Sequence, residues 1–449
     1  MYKTMMILGL IRMIKNRTQI SRQKPIVFVP GLFGSMGEEI IPGTGAWNFG
    51  MAASVYEPFI KSLEGLGYRH NKDLFIAYYD WRKDCSYISA HYLKKVIDQA
   101  KKATKSNQVN VICHSMGGLV ARAYAQGGTY ENDIDNLIII ATPNAGAANA
   151  YYFWSGGELP YEGNIKSNLF RSLLEGYLWI LERVYGTEND METIRRYLLG
   201  ARDLLPGRKY NPYLYQMGPL GRMHFIPYES MQHQNTFIDE LNENEGILPR
   251  RGIKVTLIGA KGVETNQYLY VDRNYKDPIG RWADGKVIEA YKSEEGDGTV
   301  MLKSLLAISG DTYIFHGSHT DILKKCSFVL RKKLEIPEDA VISEQEESIE
   351  RYLSILVEGN GDVAVKTLTN QGVHTIYSGL EKRSGLYYQQ FKPGLQWIMI
   401  TNHGPTSHYI DFLAKENGVV NLKIMDSNGA VRKIRNKRVE AGKSYRLSI

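Results

Sequence analysis

Short apolar segments alternate with amphipathic helical segments between Lys24 and about Pro143. The apolar segments are 25–30, 74–79, 109–113 and 135–141, and each has the length of a buried strand. Segments 54–66, 90–104 and 117–126 lie between them and have helical periodicity. Strands that are apolar on both faces and separated by helices predict a mostly parallel sheet covered by helices on each side.

This alternation lapses over residues 146–251, which are rich in Tyr, Trp, Phe and Met. An insertion of that length in a sheet domain predicts a helical cap or lid. Strand patterns resume at 253–259 and 312–315, and a last helix ends near residue 335. The predicted organisation is therefore an N-terminal extension at 1–23 and a sheet domain at 24–335, with its insertion at 146–251.

The C-terminal part of the chain has a different pattern. Residues 336–350 are acidic without a hydrophobic period, and we interpret them as a linker. Residues 351–449 contain short strand-like runs with turn residues between them, as at 359–361, 402–404 and 427–429. This spacing predicts an all-β, sandwich-like domain.

Composition excludes several functional classes. Hydrophobic residues make up 43% of the chain and charged residues 23%, which is typical of a globular protein. The net charge of +7 is too mild to favour a nucleic-acid partner, although it suits contact with an anionic lipid surface. Three widely spaced cysteines supply neither a disulfide framework nor a zinc site, and no cofactor or metal motif is present.

The N-terminal apolar run, 5–11, is too short to span a membrane and lacks a cleavage site of small residues. We expect a helix packed on the main domain, with a helix lying on a membrane surface as the alternative. A cytoplasmic location, with peripheral membrane contact as a variant, follows as an expectation.

The segment 111–120 carries the strongest chemical signal, because an apolar strand runs directly into a small-residue helix at Ser115. Such a turn exposes a serine hydroxyl and holds its backbone under strain, so the residues two before and two after it must be small. Gly117 meets this need, and Cys113 stands where glycine is usual. We predict Ser115 as a nucleophile, with the Met116 N–H facing a developing oxyanion.

A second oxyanion donor is expected from the loop that follows the first core strand. Gly31 in that loop lets the backbone approach a substrate closely. The N–H of Leu32 is the predicted donor, and that of Phe33 is the alternative.

The base and the acid should follow the nucleophile in the order Ser, acid, His. His319 lies in a loop between the last predicted strand and the final helix, whereas His316 ends that strand, so we favour His319 as the base. Asp297 has glycine on both sides, which gives it the exposure that an orienting acid needs. The alternatives for the acid are Glu294, Glu295 and Asp311.

Six segments together resemble the lecithin:cholesterol acyltransferase-like branch of α/β-hydrolase lipases: 29–34, 79–82, 113–117, 141–146, 203–206 and 296–300. The most distinctive is the Asp-Trp-Arg sequence at 80–82. The resemblance implies an α/β-hydrolase fold, with the cap insertion and the β domain added to it. It also implies attack on an ester carbonyl and an acyl-serine intermediate. By the resemblance, Asp80, Trp81 and Arg82 would shape the pocket floor or support the site, and the alternative is local packing with an ion pair.

The aromatic insertion favours an apolar substrate, and we predict that Trp81, Tyr151 and Trp154 contact it. The predicted function is hydrolysis of carboxylic esters, and of lipid esters in particular, as in lipases and phospholipases. One alternative is an acyltransferase that passes the acyl group to an alcohol, and another is a non-catalytic binding protein. The C-terminal domain is either a module for a surface or protein partner or a stabilising appendage.

Overall fold

The computed structural model describes residues 24–42, 44–158, 160, 165–336, 351–369, 372–377, 385–401 and 407–448. The predicted N-terminal extension and nearly all of the predicted linker lie outside these ranges. The described residues form two compact units. The first takes its residues from Met1–Leu32, Val55–Tyr151 and Gly200–Gln345, and the second from Phe33–Ser54, Tyr152–Leu199 and Glu346–Ile449.

Strands and helices are numbered here in chain order within the described ranges. The strands are β1 Ile26–Val29, β2 Leu74–Ile76, β3 Val109–His114, β4 Ile134–Ile140, β5 Leu214–Met217, β6 Met223–Phe225, β7 Lys254–Lys261, β8 Thr265–Asp272, β9 Lys286–Ser293, β10 Asp311–His316, β11 Tyr352–Glu358, β12 Gly361–Thr369, β13 Gly372–Tyr377, β14 Leu386–Lys392, β15 Leu395–Thr401, β16 Ser407–Ala414, β17 Gly418–Asp426, β18 Val431–Val439 and β19 Ser444–Ser448. The helices are α1 Ala53–Gly65, α2 Cys85–Ile88, α3 Lys94–Thr104, α4 Met116–Gln126, α5 Asn149–Tyr151, α6 Ile165–Tyr185, α7 Asp190–Tyr197, α8 Leu199–Arg202, α9 Thr236–Glu243, α10 Ile247–Arg250, α11 Leu302–Leu305, α12 Ile322–Lys325 and α13 Ser327–Lys333.

The first unit is built on a parallel six-stranded sheet with the order β10-β7-β4-β3-β1-β2. Strands β1, β2 and β3 are buried at every position, as expected for strands covered on both faces. The chain passes from β1 to β2 on one side and then returns across β1 to β3. The carboxyl ends of β1 and β3 therefore meet where the winding direction reverses, and open α/β sheets form their sites at that place. The predicted α/β-hydrolase fold class is confirmed.

A second, four-stranded sheet in this unit, with the order β6-β5-β8-β9, is absent from the sequence prediction. Its outer strand β9 is mostly exposed or half-buried and carries charged residues, so it shows no apolar period. The hairpin of β5 and β6 pairs Met217 with Met223 across the turn.

In the second unit, the C-terminal strands form two antiparallel sheets, β14-β15-β11-β17-β18 and β13-β12-β16-β19. Apolar side chains from both sheets share one core, which confirms the predicted sandwich. Helix α6, from the predicted insertion, packs within the same unit. Its Ser172 hydroxyl lies 2.9 Å from the Tyr352 hydroxyl, and its Glu175 carboxylate lies 2.7 Å from the Lys423 ammonium.

None of the helices in the described ranges combines the length and the apolar character needed to cross a bilayer.

Candidate active site

Ser115 lies at the turn between β3 and α4, at the reversal point of the sheet. Its backbone has φ 55° and ψ −129°, a strained conformation for a residue with a side chain. The turn is held by the Ser115 N–H, which donates to the Ile140 carbonyl at 2.9 Å. A Cβ added to Gly117 would lie 2.4 Å from the Val29 carbonyl oxygen, so only glycine fits where α4 approaches β1 so closely. The structure therefore has the predicted strained turn.

Cys113 occupies the position where glycine is usual and fits without disrupting the turn. Its side chain is fully buried, and its thiol donates to the Ile138 carbonyl at 3.3 Å. Burial raises the pKa of this thiol far above its ordinary value, which keeps it protonated. Cys113 is therefore a packing group beside Ser115, with no thiolate character.

The structure brings Ser115, His319 and Asp297 together. The Ser115 Oγ lies 2.9 Å from His319 Nε2, and His319 Nδ1 lies 2.9 Å from Asp297 Oδ2. An ionised carboxylate only accepts hydrogen bonds, so Nδ1–H donates to Asp297 and Nε2 is left to accept from the serine hydroxyl. This is the geometry in which a histidine takes the proton of a serine.

Asp297 is held in place by the turn that contains it. Its Oδ1 accepts the N–H groups of Thr299 at 2.9 Å and Val300 at 2.7 Å, so that Oδ2 faces the imidazole. The His319 N–H also donates to the Asp297 carbonyl at 2.8 Å, which ties the two loops together.

The alternative acids and the alternative histidine lie elsewhere. Glu294 is exposed, Glu295 pairs with Lys261, and Asp311 pairs with Lys333 at the surface. His316 is exposed at the end of β10, where it pairs with Lys261 of β7.

The loop after β1 approaches the nucleophile closely. A Cβ on Gly31 would lie 2.9 Å from the Ser115 Cβ. The Gly31 N–H is already bound to the Tyr56 hydroxyl at 2.8 Å, so the next N–H, that of Leu32, remains the candidate donor from this loop. Met116 is the first residue of α4, where N–H groups have no partner within the helix. The alternative donor Phe33 belongs to the second unit, where its ring stacks on Tyr177 at 5.2 Å.

His114, beside the nucleophile, is part of a buried hydrogen-bond chain that sequence reasoning missed. Its Nδ1 lies 3.0 Å from the Tyr56 hydroxyl, and its Nε2 lies 2.9 Å from the His319 carbonyl oxygen. Burial, with a smaller contribution from the nearby His319, lowers the pKa of His114 to about 3, so the ring is neutral. The sequence offered one signal, a histidine next to the predicted nucleophile, and none that pointed to Tyr56.

The Asp-Trp-Arg segment in the first unit contains its own ion pair, with Asp80 and Trp81 buried and Arg82 half-buried. Arg82 donates from Nε and Nη2 to the two Asp80 oxygens, each at 2.7 Å, and Trp81 is fully buried. The loop is fixed at its end by the Cys85 N–H, which donates to the buried Asp203 carboxylate at 2.7 Å. Burial raises the pKa of Asp203 to about 6.

The other two predicted substrate contacts are also buried. Tyr151 donates its hydroxyl to the Gly285 carbonyl at 2.7 Å, and its ring lies 5.9 Å from Tyr213 and 5.8 Å from Trp282. Trp154 is buried in the second unit. A contact of Trp81, Tyr151 or Trp154 with substrate stays a prediction.

A family model matches part of the chain. The family model described as lecithin:cholesterol acyltransferase matches residues 46–161, which contain the Asp-Trp-Arg segment and the Ser115 turn. The predicted resemblance is thereby confirmed over these residues. Among curated proteins, none matches the chain.

Several solved structures are similar to the chain. The mature form of the Bacillus licheniformis lipase BlEst2 is 15% identical, with 70% of this chain and 93% of that chain covered and a TM-score of 0.39. A Listeria innocua protein is 11% identical, with 71% and 96% covered and a TM-score of 0.34. The Pseudomonas fluorescens meta-cleavage product hydrolase CumD is 12% identical, with 70% and 90% covered and a TM-score of 0.33.

The sheet topology and the strained turn define the class of the protein, which is the α/β-hydrolase fold. Together with the family match over residues 46–161, they make it an enzyme of the ester hydrolase or acyltransferase class.

Proposed function

We propose that this protein is a serine hydrolase of carboxylic esters, with Ser115 as nucleophile, His319 as general base and Asp297 as the orienting acid. The observation that supports this most directly is the continuous hydrogen-bond chain Ser115–His319–Asp297, with both distances at 2.9 Å. The strained turn supports the same assignment, because backbone strain of this kind collects at functional sites.

The reaction then follows from the hydrogen-bond directions. The Ser115 Oγ attacks the ester carbonyl carbon while its proton passes to His319 Nε2, and the Asp297 carboxylate stabilises the imidazolium. The oxyanion is stabilised by the N–H groups of Met116 and Leu32. His319 returns the proton to the leaving alcohol as the C–O bond breaks, which leaves an acyl-serine. Water then gives a proton to His319 Nε2 and attacks the acyl carbon. The bond between this carbon and the Ser115 Oγ breaks, the acid leaves, and His319 returns the proton to the Oγ.

A lipid ester as substrate is supported by an exposed apolar hairpin in the first unit. Leu220, at the turn between β5 and β6, is 93% exposed, and Met217, Met223 and Phe225 beside it are exposed as well. Exposed apolar clusters of this kind mark interaction sites. The sequence has no acidic residue between Asp203 and Glu229, whereas Arg208, Lys209 and Arg222 lie in that stretch. An apolar tip without negative charge suits a lipid surface, which would present ester substrate to the enzyme.

Labelling with a fluorophosphonate probe, together with turnover of p-nitrophenyl esters, tests the proposal. Wild type should react and turn over, and Ser115→Ala should do neither. Ser86→Ala, which removes an exposed serine hydroxyl, is the matched control and should behave as wild type. If wild type is folded but neither reacts nor turns over, the hydrolase proposal is wrong and a non-catalytic binding role is favoured.

Acyl transfer is the second candidate, because the matching family model is described as an acyltransferase. Incubation with a labelled ester and a long-chain alcohol separates the two reactions. Formation of the new ester, at the expense of free acid, favours transfer. Free acid alone, at the same rate with and without alcohol, favours hydrolysis.

A further inference from the structure

We infer that Tyr56 and His114 are positioning residues that fix two loops relative to each other. These are the oxyanion loop, residues 30–32, and the base loop, residues 317–321. Four groups form one continuous chain: the Gly31 N–H, the Tyr56 hydroxyl, the His114 ring and the His319 carbonyl. The inference rests on the proposed function, because it assigns a role relative to the oxyanion donors and the base.

The direction of each hydrogen bond follows from its ends. The His319 carbonyl can only accept, so His114 Nε2 carries the proton and donates to it at 2.9 Å. His114 Nδ1 then has a lone pair, which accepts the Tyr56 hydroxyl at 3.0 Å. The Tyr56 oxygen in turn accepts the Gly31 N–H at 2.8 Å. Every member is satisfied in one arrangement, which is the condition under which a buried polar network rigidifies its surroundings.

The environment keeps this arrangement fixed. Tyr56 and His114 are both nearly fully buried. The Tyr56 ring packs against Phe28 at 5.6 Å, and the His114 ring lies 4.9 Å from that of His319. Burial lowers the pKa of His114 and raises that of Tyr56, so both rings stay neutral over the working range of pH.

The two ends of this hydrogen-bond chain lie on the loops that contain the proposed oxyanion donor and the proposed base. Binding of the Gly31 N–H orients the peptide unit immediately before the predicted donor Leu32. Binding of the His319 carbonyl fixes the main chain of the base itself. Apolar side chains of the same shape would fill the space, but they would leave the Gly31 N–H and the His319 carbonyl without these partners.

Tyr56→Phe keeps the ring and removes only the hydroxyl, and His114→Leu removes the donor to His319. Tyr68→Phe is the matched control, because the Tyr68 hydroxyl is also buried but bonds to no residue that the structure describes. Turnover should be expressed per reactive serine, titrated with a fluorophosphonate, so that loss of folded protein does not count. In both Tyr56→Phe and His114→Leu, we expect turnover per serine to fall on the order of tenfold to a hundredfold, with KM for a soluble ester nearly unchanged. Tyr68→Phe should stay within twofold of wild type.

A rescue variant separates positioning from packing. His114→Gln keeps an amide donor that can reach the His319 carbonyl, so it should recover part of the turnover that His114→Leu loses. The inference is overturned if Tyr56→Phe keeps its turnover per serine within twofold of wild type, or if Gln recovers no more than Leu. Failure of the proposed function looks different, because wild type itself would then show neither labelling nor turnover.

Discussion

The strained backbone of Ser115 predicts an unusual order of stability between two variants that lack its hydroxyl. Ser115→Ala and Ser115→Gly both remove the hydroxyl and its hydrogen bond to His319, but only Gly also removes the Cβ. At φ 55° and ψ −129° a side chain costs about 1–3 kcal/mol. The extra chain entropy of glycine in the unfolded state opposes this by about 0.5–1 kcal/mol. The Gly variant should therefore be the more stable by about 1 kcal/mol.

Ser86, an exposed residue of helix α2, provides the comparison pair. There the backbone is helical, so Ser86→Gly should be less stable than Ser86→Ala by about 0.5–1 kcal/mol. Urea unfolding of the four variants, followed by tryptophan fluorescence, measures both differences.

The test is whether the Gly variant is more stable or less stable than the Ala variant at each position. If Gly is less stable than Ala at Ser115 to the same extent as at Ser86, the turn stores no strain and the reasoning is wrong. Neither Ser115 variant should turn over ester, which confirms that the comparison concerns stability alone.

Three further predictions concern the acid, the buried histidine and the hairpin. Asp297→Asn should lower kcat by about 10³–10⁴, since the amide does not stabilise the His319 imidazolium; ester kinetics at saturating substrate measure it. Burial lowers the pKa of His114 to about 3 in the folded protein, whereas in the unfolded chain it is about 6.5. As the pH falls below about 6.5, only the unfolded chain therefore takes up a proton at this residue. The unfolding free energy of wild type should then drop by about 2 kcal/mol more than that of His114→Gln between pH 7.5 and 5, measured in urea. Leu220→Asp should abolish sedimentation with anionic vesicles while soluble-ester turnover is unchanged.

Each of these has a contradicting result. An Asp297→Asn enzyme within tenfold of wild type would remove the carboxylate from the mechanism. Equal pH slopes for wild type and His114→Gln would show that the ring is protonated in the fold. Equal sedimentation of Leu220→Asp and wild type would place lipid contact elsewhere on the protein.

Most strands of the parallel sheet were predictable because apolar residues dominate them, as in β1, β3 and β4. The edge strand β10 is exposed or half-buried throughout, and only its segment 312–315 has a strand pattern in the sequence. Ser115 and its partners were predictable for another reason, since each lies in a short segment whose glycines and polar residues carry a local geometric requirement. Tyr56 was not predictable. It lies on α1, 58 residues from His114, and its sequence neighbourhood is that of any amphipathic helix. Strand β9 was not predicted from the sequence because its exposed, charged residues follow no apolar period.

The predicted insertion 146–251 illustrates a further limit of sequence reasoning. The structure groups Tyr152–Leu199 with the C-terminal sandwich and the segment from Gly200 onwards with the parallel sheet. The pairing of Glu175 with Lys423, across 248 residues of sequence, is part of this grouping and leaves no local signal. Deletion of the C-terminal domain is therefore a poor test of its function, because α6 would lose its packing partners.

The same long-range pairing has a consequence for co-translational folding of the protein. Helix α6 emerges from the tunnel long before the strands that cover it, since Tyr352 follows Ser172 by 180 residues and Lys423 follows Glu175 by 248. At about 5–20 residues per second, the Glu175 side chain waits roughly 10–50 s for its partner. During that interval the apolar face of α6 is open to chaperones or to other nascent chains. Slow codons between the helix and the sandwich would lengthen this exposure and lower the yield of folded enzyme.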